Sequence, residues 1–179
     1  ATAADADKIT IKDTVDLMFS PLDATYLTEN ADIDAIFGML AGVDFVYPTL
    51  VANNRTDIKL YTAGLETSDS ITGNFGTKGN ACIQEMVYCN AESITYPLVM
   101  LLNKISGNTY SDQPAEAQRV DTSQMRIKSD ADLEYTMAHS LQFTGKASDA
   151  FLTAAQVKAL LAANGGTHAA LVKAVQSMT

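Results

Sequence analysis

Four residues at the ends of predicted strands have side chains that could hold a small molecule. Asp44 and Glu66 follow two apolar segments, while Tyr88 and Asn90 end a third. Carboxylates and amides suit hydroxyl groups, because each desolvated hydroxyl needs a paired donor and acceptor, and an aromatic ring stacks on the same solute. The set predicts a ligand site for a polyol or a cationic solute. Alternatively, Asp44 and Glu66 lie in first helical turns and favour the positive end of the helix dipole.

Motifs for catalysis, cofactors or metals are not found. The segment GNFGTKG lacks the GK[ST] ending of a phosphate-binding loop, and no GxSxG is present. His139 and His168 have no partner at metal-ligand spacing. We therefore expect no enzyme activity, no catalytic residue, no cofactor and no metal site.

The two cysteines, Cys82 and Cys89, are seven residues apart. On a helix they would lie roughly 10 Å apart and on a strand over about 20 Å, too far for a disulfide. Both thiols are predicted to be free and buried.

The composition describes a globular chain and excludes two classes of partner. A net charge of −9, with twelve scattered Lys and Arg residues, argues against nucleic acid. No apolar run reaches the about 18 residues of a membrane span. The N-terminus has neither a basic start nor an apolar stretch, so a signal sequence is not in this chain.

Strands alternate with helices through the first two thirds of the chain. Strands are predicted from Lys8 (KITIKDTV) and at 33–39, 58–63 and 83–88. Helices are predicted at 16–30, with Pro21 near a start, at 41–53, with a kink or a later start at Pro48, and at 93–105, closed by Gly107. Residues 67–80 form a loop or a weak helix. This order predicts an α/β fold, a three-layer α/β/α arrangement with a mostly parallel sheet.

The sequence pattern changes after Gly107, where the alternation of strands and helices ends. Residues 108–118 are polar and are predicted to be a linker or a long surface loop. Residues 124–140 are either a strand followed by a short helix or one irregular segment. Two helices follow, the first capped by Thr153. We predict an α/β lobe at 8–107 and, at 108–179, a linker plus a helical segment packing on it. The apolar residues of the 93–105 helix are predicted to be core: Leu98, Val99, Leu101, Leu102 and Ile105.

Segments IDAIFGM, DIKLYTAGLE and IQEMVYCNAESITYPLVMLLNKISG occur in this order between residues 33 and 107. The order of these segments and their local sequences resemble the C-terminal lobe of type I periplasmic binding proteins. In sugar receptors of this family an Asn-Asp pair follows the first segment, and here those positions are Leu40 and Ala41. The Asp that ends the next strand falls on Gly64, and the following amide falls near Cys89 and Asn90. Of that set, only the last position keeps a suitable side chain.

The resemblance implies a solute-binding component of an ABC importer, present as a C-terminal lobe or fragment. Such a protein lies outside the cytoplasm, in the periplasm or attached to the cell surface. It captures a sugar or related small polar solute between two lobes and delivers it to a membrane permease. One alternative is the effector-binding domain of a transcription regulator. A flavodoxin-like enzyme or nucleotide-binding domain is disfavoured, because it would need a phosphate-binding loop after the first strand and TVDLMFSPLD has no glycine. A third alternative is a non-catalytic interaction module, in which the surface that a missing lobe leaves bare forms a homodimer or docks a partner.

Overall fold

The structure is a computed structural model that describes residues 8–17, 22–39, 42–64, 69–89, 91–116, 118–122 and 124–178. Its strands are β1 (Ala35–Gly38), β2 (Lys59–Ala63), β3 (Ile83–Tyr88) and β4 (Met125–Ile127). Its α-helices are α1 (Ala24–Glu29), α2 (Gly42–Ala52), α3 (Asp69–Thr72), α4 (Thr95–Ile105), α5 (Asp130–His139), α6 (Leu141–Thr144), α7 (Ala154–Ala159) and α8 (His168–Gln176). Short 3₁₀ turns lie at Ala91–Ile94 and Ala162–Asn164.

The four strands form one open sheet in the order β1-β2-β3-β4. The first three run parallel, and β4 is antiparallel to β3. The predicted α/β fold with a mostly parallel sheet is thus confirmed. The segment after Gly107 contributes β4, in agreement with the strand-then-helix alternative for 124–140.

The main core lies on one face of this sheet. Side chains alternate between faces along a strand, and Leu60, Met86 and Ile127 all point into this core, where they are inaccessible to solvent. Apolar residues of α2, such as Leu50, and Leu133 of α5 cover them. The opposite face carries the exposed Phe37 and Tyr61 and an ion pair between Glu85 and Arg126.

A second core joins α4 to α8. Val99 of α4 packs with Leu171 and Val175 of α8, and Tyr110 closes the cluster. The Tyr110 hydroxyl donates to the Leu160 carbonyl at 2.6 Å. The prediction that all five apolar residues of α4 are core was wrong for four of them, since only Val99 is buried.

Helix α2 runs from Gly42 to Ala52 and contains Pro48, so the alternative of a helix that starts nearer Pro48 was wrong. Proline lacks an N–H, and the Asp44 carbonyl therefore loses its usual helical partner. Burial of Val46, Tyr47 and Leu50 offsets that cost, because these residues lie on one side of the helix within the main core.

The strand predicted from Lys8 is not formed. Residues 8–16 have no regular secondary structure, and Ile9 and Ile11 are exposed. A strand needs a neighbour to pair its N–H and C=O groups, and residues 8–16 are not part of the described sheet. The alternation of apolar and polar residues with β-branched side chains was therefore not sufficient to predict a strand here.

The longest described helices, α2 and α4, have 11 residues each. Such a helix spans about 16 Å, against about 30 Å for the hydrocarbon core of a bilayer. Among the described residues, no helix is long and apolar enough to cross a membrane.

Candidate functional site

The carboxyl ends of the three parallel strands meet at one edge of the sheet. Gly38 pairs with Thr62, and Ala63 pairs with Val87, so the strand ends are adjacent. Open α/β sheets bind ligands at this edge, because the loops that leave the strands there surround a crevice. We call it the carboxyl edge.

Gly38 at the end of β1 and Gly42 at the start of α2 lie close to each other and to Thr62. A Cβ on Gly38 would lie 2.8 Å from Cα of Gly42, and a Cβ on Gly42 would lie 2.8 Å from Oγ1 of Thr62. No side chain fits either gap without movement. Helix α2 therefore begins directly against β2, and its first turn lies at the carboxyl edge.

Three exposed side chains accompany this turn. Met39, directly after β1, is 74% exposed and Phe45, in the first turn of α2, is 64% exposed. Asp44 precedes Phe45 and is also exposed. A carboxylate beside apolar and aromatic surface can accept hydrogen bonds from hydroxyl or ammonium groups while the ring covers the apolar part of a solute.

Tyr88, also predicted to contact ligand, lies at the end of β3 but is buried. Its hydroxyl lies 2.9 Å from Oε1 of Gln142, to which it donates, and 2.8 Å from Oγ of Ser140. The Ser140 hydroxyl must then be the donor to Tyr88. The ring packs on Phe143 at a centroid distance of 5.6 Å. Burial raises the pKa of Tyr88, so its hydroxyl remains protonated at neutral pH.

Glu92 is a buried acid at this edge that the sequence reasoning missed. It is 4% exposed, and its Oε1 accepts a hydrogen bond from the Leu141 N–H at 2.7 Å. Its Oε2 has no hydrogen-bond partner in the described structure. Buried carboxylate oxygens without a partner are costly. The available signal was an acid placed four residues after a buried strand end.

The remaining predicted site residues, Glu66 and Asn90, lie outside the described residues, as do Leu40 and Ala41. The structure thus places Asp44 on the open surface of the carboxyl edge and Tyr88 beneath it. A ligand role for all four residues stays a prediction.

Two open grooves lie away from this edge. One, of about 460 Å³, lies between the end of α4 and the segment that follows it and includes Asn103 and Lys104. The other, of about 400 Å³, lies along α8 and includes Arg119 and Lys173. Within the described part of the chain, no group of three His, Cys, Asp or Glu side chains is arranged to hold a metal ion.

The cysteines differ from each other. Both are free, but Cys82 is buried and Cys89 is exposed. The prediction that both thiols are buried was therefore wrong for Cys89. Tyr88 points into the core, and the next residue along the strand direction points to the opposite side.

Comparison of the chain with protein-family models gives no match, and comparison with curated proteins gives no significant match. The α/β class therefore rests on the structure itself. The resemblance to periplasmic binding proteins, drawn from the sequence between residues 33 and 107, stays a prediction.

Proposed function

We propose that this chain captures a small polar solute, such as a sugar, at the carboxyl edge of its sheet, as the solute-binding component of an ABC importer. The observation that supports this proposal best is that Asp44, Phe45 and Met39 are all exposed where β1 ends and α2 begins. The proposed role is binding without chemistry.

The side chains of this group suit a solute with both polar and apolar faces. Asp44 supplies an acceptor for hydroxyl or ammonium groups, and Phe45 supplies a ring for stacking. A single exposed edge buries only part of a solute, whereas pockets bury most of it. A second lobe closing over the edge as a hinge would complete the site and present the loaded protein to a membrane permease.

The proposal is tested by thermal unfolding of the chain in the presence of sugars, polyols, nucleosides and amino acids. A ligand present at about 100 times its Kd adds about 2.7 kcal/mol to the free energy of unfolding, so a binder raises the Tm measurably. We expect one of the hydroxyl-rich or cationic classes to do so.

Two variants test the location of binding, each with a matched control. Asp44→Asn removes the charge and keeps the shape, with Asp149→Asn as a control at another exposed aspartate. Phe45→Ala removes the ring, with Phe37→Ala as a control at a phenylalanine of the same 64% exposure. We expect each site variant to weaken binding about tenfold or more and each control to leave the Kd unchanged. No Tm shift with any ligand class, or equal effects of site and control variants, would overturn the proposal.

A further inference from the structure

Helix α4 carries apolar residues on two sides, and the fold covers one of them. Val99 packs with Leu171 and Val175 of α8, and Asn103 is buried as well. Asn103 also accepts a hydrogen bond through Oδ1 from the Ala162 N–H at 3.0 Å. This side fixes α4 to the second core.

The other side of the helix is exposed and is rich in large aliphatic residues, with Pro97 and Lys104 beside them. We call this set the α4 stripe: Ile94, Leu98, Leu101, Leu102 and Ile105, between 39% and 73% exposed. Ile94 belongs to it because its backbone angles (φ −64°, ψ −13°) are helical and join the 3₁₀ turn to α4. The stripe therefore runs the full length of the helix.

The residues of the α4 stripe have the sequence spacing of residues that pack one helix against another. Ile94, Leu98, Leu101 and Ile105 are separated by four, three and four residues. This is the alternation of d and a positions in a heptad, which presents knobs to the holes of a facing helix. A second helix is therefore the shape that this surface fits.

We propose that the α4 stripe pairs with the α4 stripe of a second copy of this chain, with the two helices antiparallel. The spacing of four, three and four residues reads the same in both directions. A two-fold axis near the helix centre therefore places Leu98 opposite Leu101 of the second copy and Ile94 opposite Ile105. Such a self-complementary surface is what an isologous dimer requires.

The exposed area of the stripe is sufficient for a small dimer interface. Five aliphatic side chains at these exposures leave on the order of 500 Å² of apolar surface, at the upper end for the largest patch of a monomer. Pairing two stripes removes at most about 1,000 Å² from water, which is the threshold for a biological interface and lies in the range of weak, transient ones. A reversible dimer is the expected product.

Charge also favours this face for contact between two acidic chains. The chain carries a net charge of −9, but Lys104 is the only charged residue within α4. Two copies approaching through α4 thus bring no acidic residue of that helix together. Depletion of charge at the centre is the usual composition of an interface core.

The first test is sedimentation equilibrium of the whole chain from about 1 µM to about 500 µM. We expect a monomer–dimer equilibrium. The double variant Leu98→Glu with Leu101→Glu places four carboxylates in the apolar seam and should raise the dimer Kd about 100-fold or more. Val51→Glu, at an apolar residue of α2 that is 45% exposed, is the matched control and should leave the dimer Kd unchanged.

Two outcomes of this experiment overturn the proposal. The first is that the chain stays a monomer at every concentration, whether or not it binds another protein or a lipid vesicle. The second is that the chain dimerises but the glutamate variant of the stripe does not weaken the dimer. Circular dichroism establishes whether the glutamate variant is folded. Leu98→Ala with Leu101→Ala, which keeps good helix formers, provides the same comparison if it is not.

A second test measures the direction of the helices. In a Cys89→Ser background, Leu98→Cys and Leu101→Cys proteins are oxidised separately and as a mixture. The antiparallel pairing predicts that the mixture forms disulfide-linked dimers faster than either protein alone. Faster linking within each separate protein would show parallel helices and overturn the proposed arrangement. Neither test depends on the solute site, since α4 is not part of the Asp44 group.

Discussion

The hydroxyl of Tyr88 at the end of β3 lies 2.8 Å from Oγ of Ser140, which directly precedes α6. Both residues are buried, and they are 52 positions apart in the chain. This contact fixes the start of α6 to the carboxyl edge of the sheet. Gln142 completes the connection by accepting a hydrogen bond from the same hydroxyl.

Replacing Tyr88 with Phe should lower the free energy of unfolding by about 1–2 kcal/mol, because the buried Ser140 hydroxyl loses its acceptor. Urea denaturation of the variant measures the change. Tyr61→Phe removes a hydroxyl from a more exposed ring on β2, and its effect should be close to zero. A loss at Tyr88 no larger than that at Tyr61 would contradict a structural role for the hydroxyl.

Gly42→Ala should destabilise the protein by about 1–3 kcal/mol, because the added methyl group meets Oγ1 of Thr62 at 2.8 Å. Thr62→Ala removes that oxygen. In the Thr62→Ala background the cost of Gly42→Ala should therefore be smaller, and a double-mutant cycle by chemical denaturation gives the coupling. Strict additivity of the two substitutions would show that the close approach is not the cause.

The ion pair between Glu85 of β3 and Arg126 of β4 should make stability depend on pH. Nη2 of Arg126 donates to Oε2 of Glu85 at 3.0 Å, and Nε donates to Oε1. This hydrogen bond to Arg126 lowers the pKa of Glu85 in the folded protein. The stabilisation is therefore fully present above the ordinary pKa of glutamate and is lost as the pH falls through the lowered value.

Arg126→Met should accordingly reduce the Tm at neutral pH, and the difference from the unmodified chain should shrink on acidification. Thermal unfolding over a series of buffers checks this. Arg119→Met is the control, because Arg119 pairs with Asp121 only two residues away and both side chains are more than three quarters exposed. A difference at Arg126 that is constant with pH would show that the ion pair is not responsible.

The two thiols should react at very different rates. Cys89 is exposed, whereas Cys82 is buried and its Sγ donates to the Ile58 carbonyl at 3.2 Å. Burial also raises the pKa of the Cys82 thiol, and the thiolate is the reactive form. A thiol-specific reagent should label one cysteine in the folded protein and two after denaturation, with mass spectrometry of peptides identifying Cys89 as the first. Rapid labelling of Cys82 in the folded state would contradict its burial.

Much of the fold was predictable because its signals are local. The apolar segments at 33–39, 58–63 and 83–88 contain β1, β2 and β3, and their alternation with helices indicated the mostly parallel sheet. Thr153 begins α7 with a capping box to Gln156, and Gly107 has the positive φ of +70° that ends α4. Each of these features depends on residues within a few positions of one another.

The candidate site was only partly predictable, because the accessibility of a side chain is set by distant parts of the chain. Asp44 lies on the surface at the carboxyl edge as its position after β1 suggested. Tyr88 has an equally suitable position, but Ser140 and Gln142 enclose its hydroxyl. The burial of Glu92 was not predictable either, because the N–H that its carboxylate accepts a hydrogen bond from belongs to Leu141, 49 residues away.

The sequence by itself therefore determined the order and type of most elements, since backbone preferences and apolar periodicity act over a few residues. Tertiary structure alone decided which apolar faces are covered. Helix α4 carries apolar residues on both sides, and their spacing does not show that the side with Val99 packs on α8 while the stripe stays exposed. Burial requires a neighbouring element at the right place, and long-range folding supplies one for Val99 and leaves Leu101 in contact with solvent.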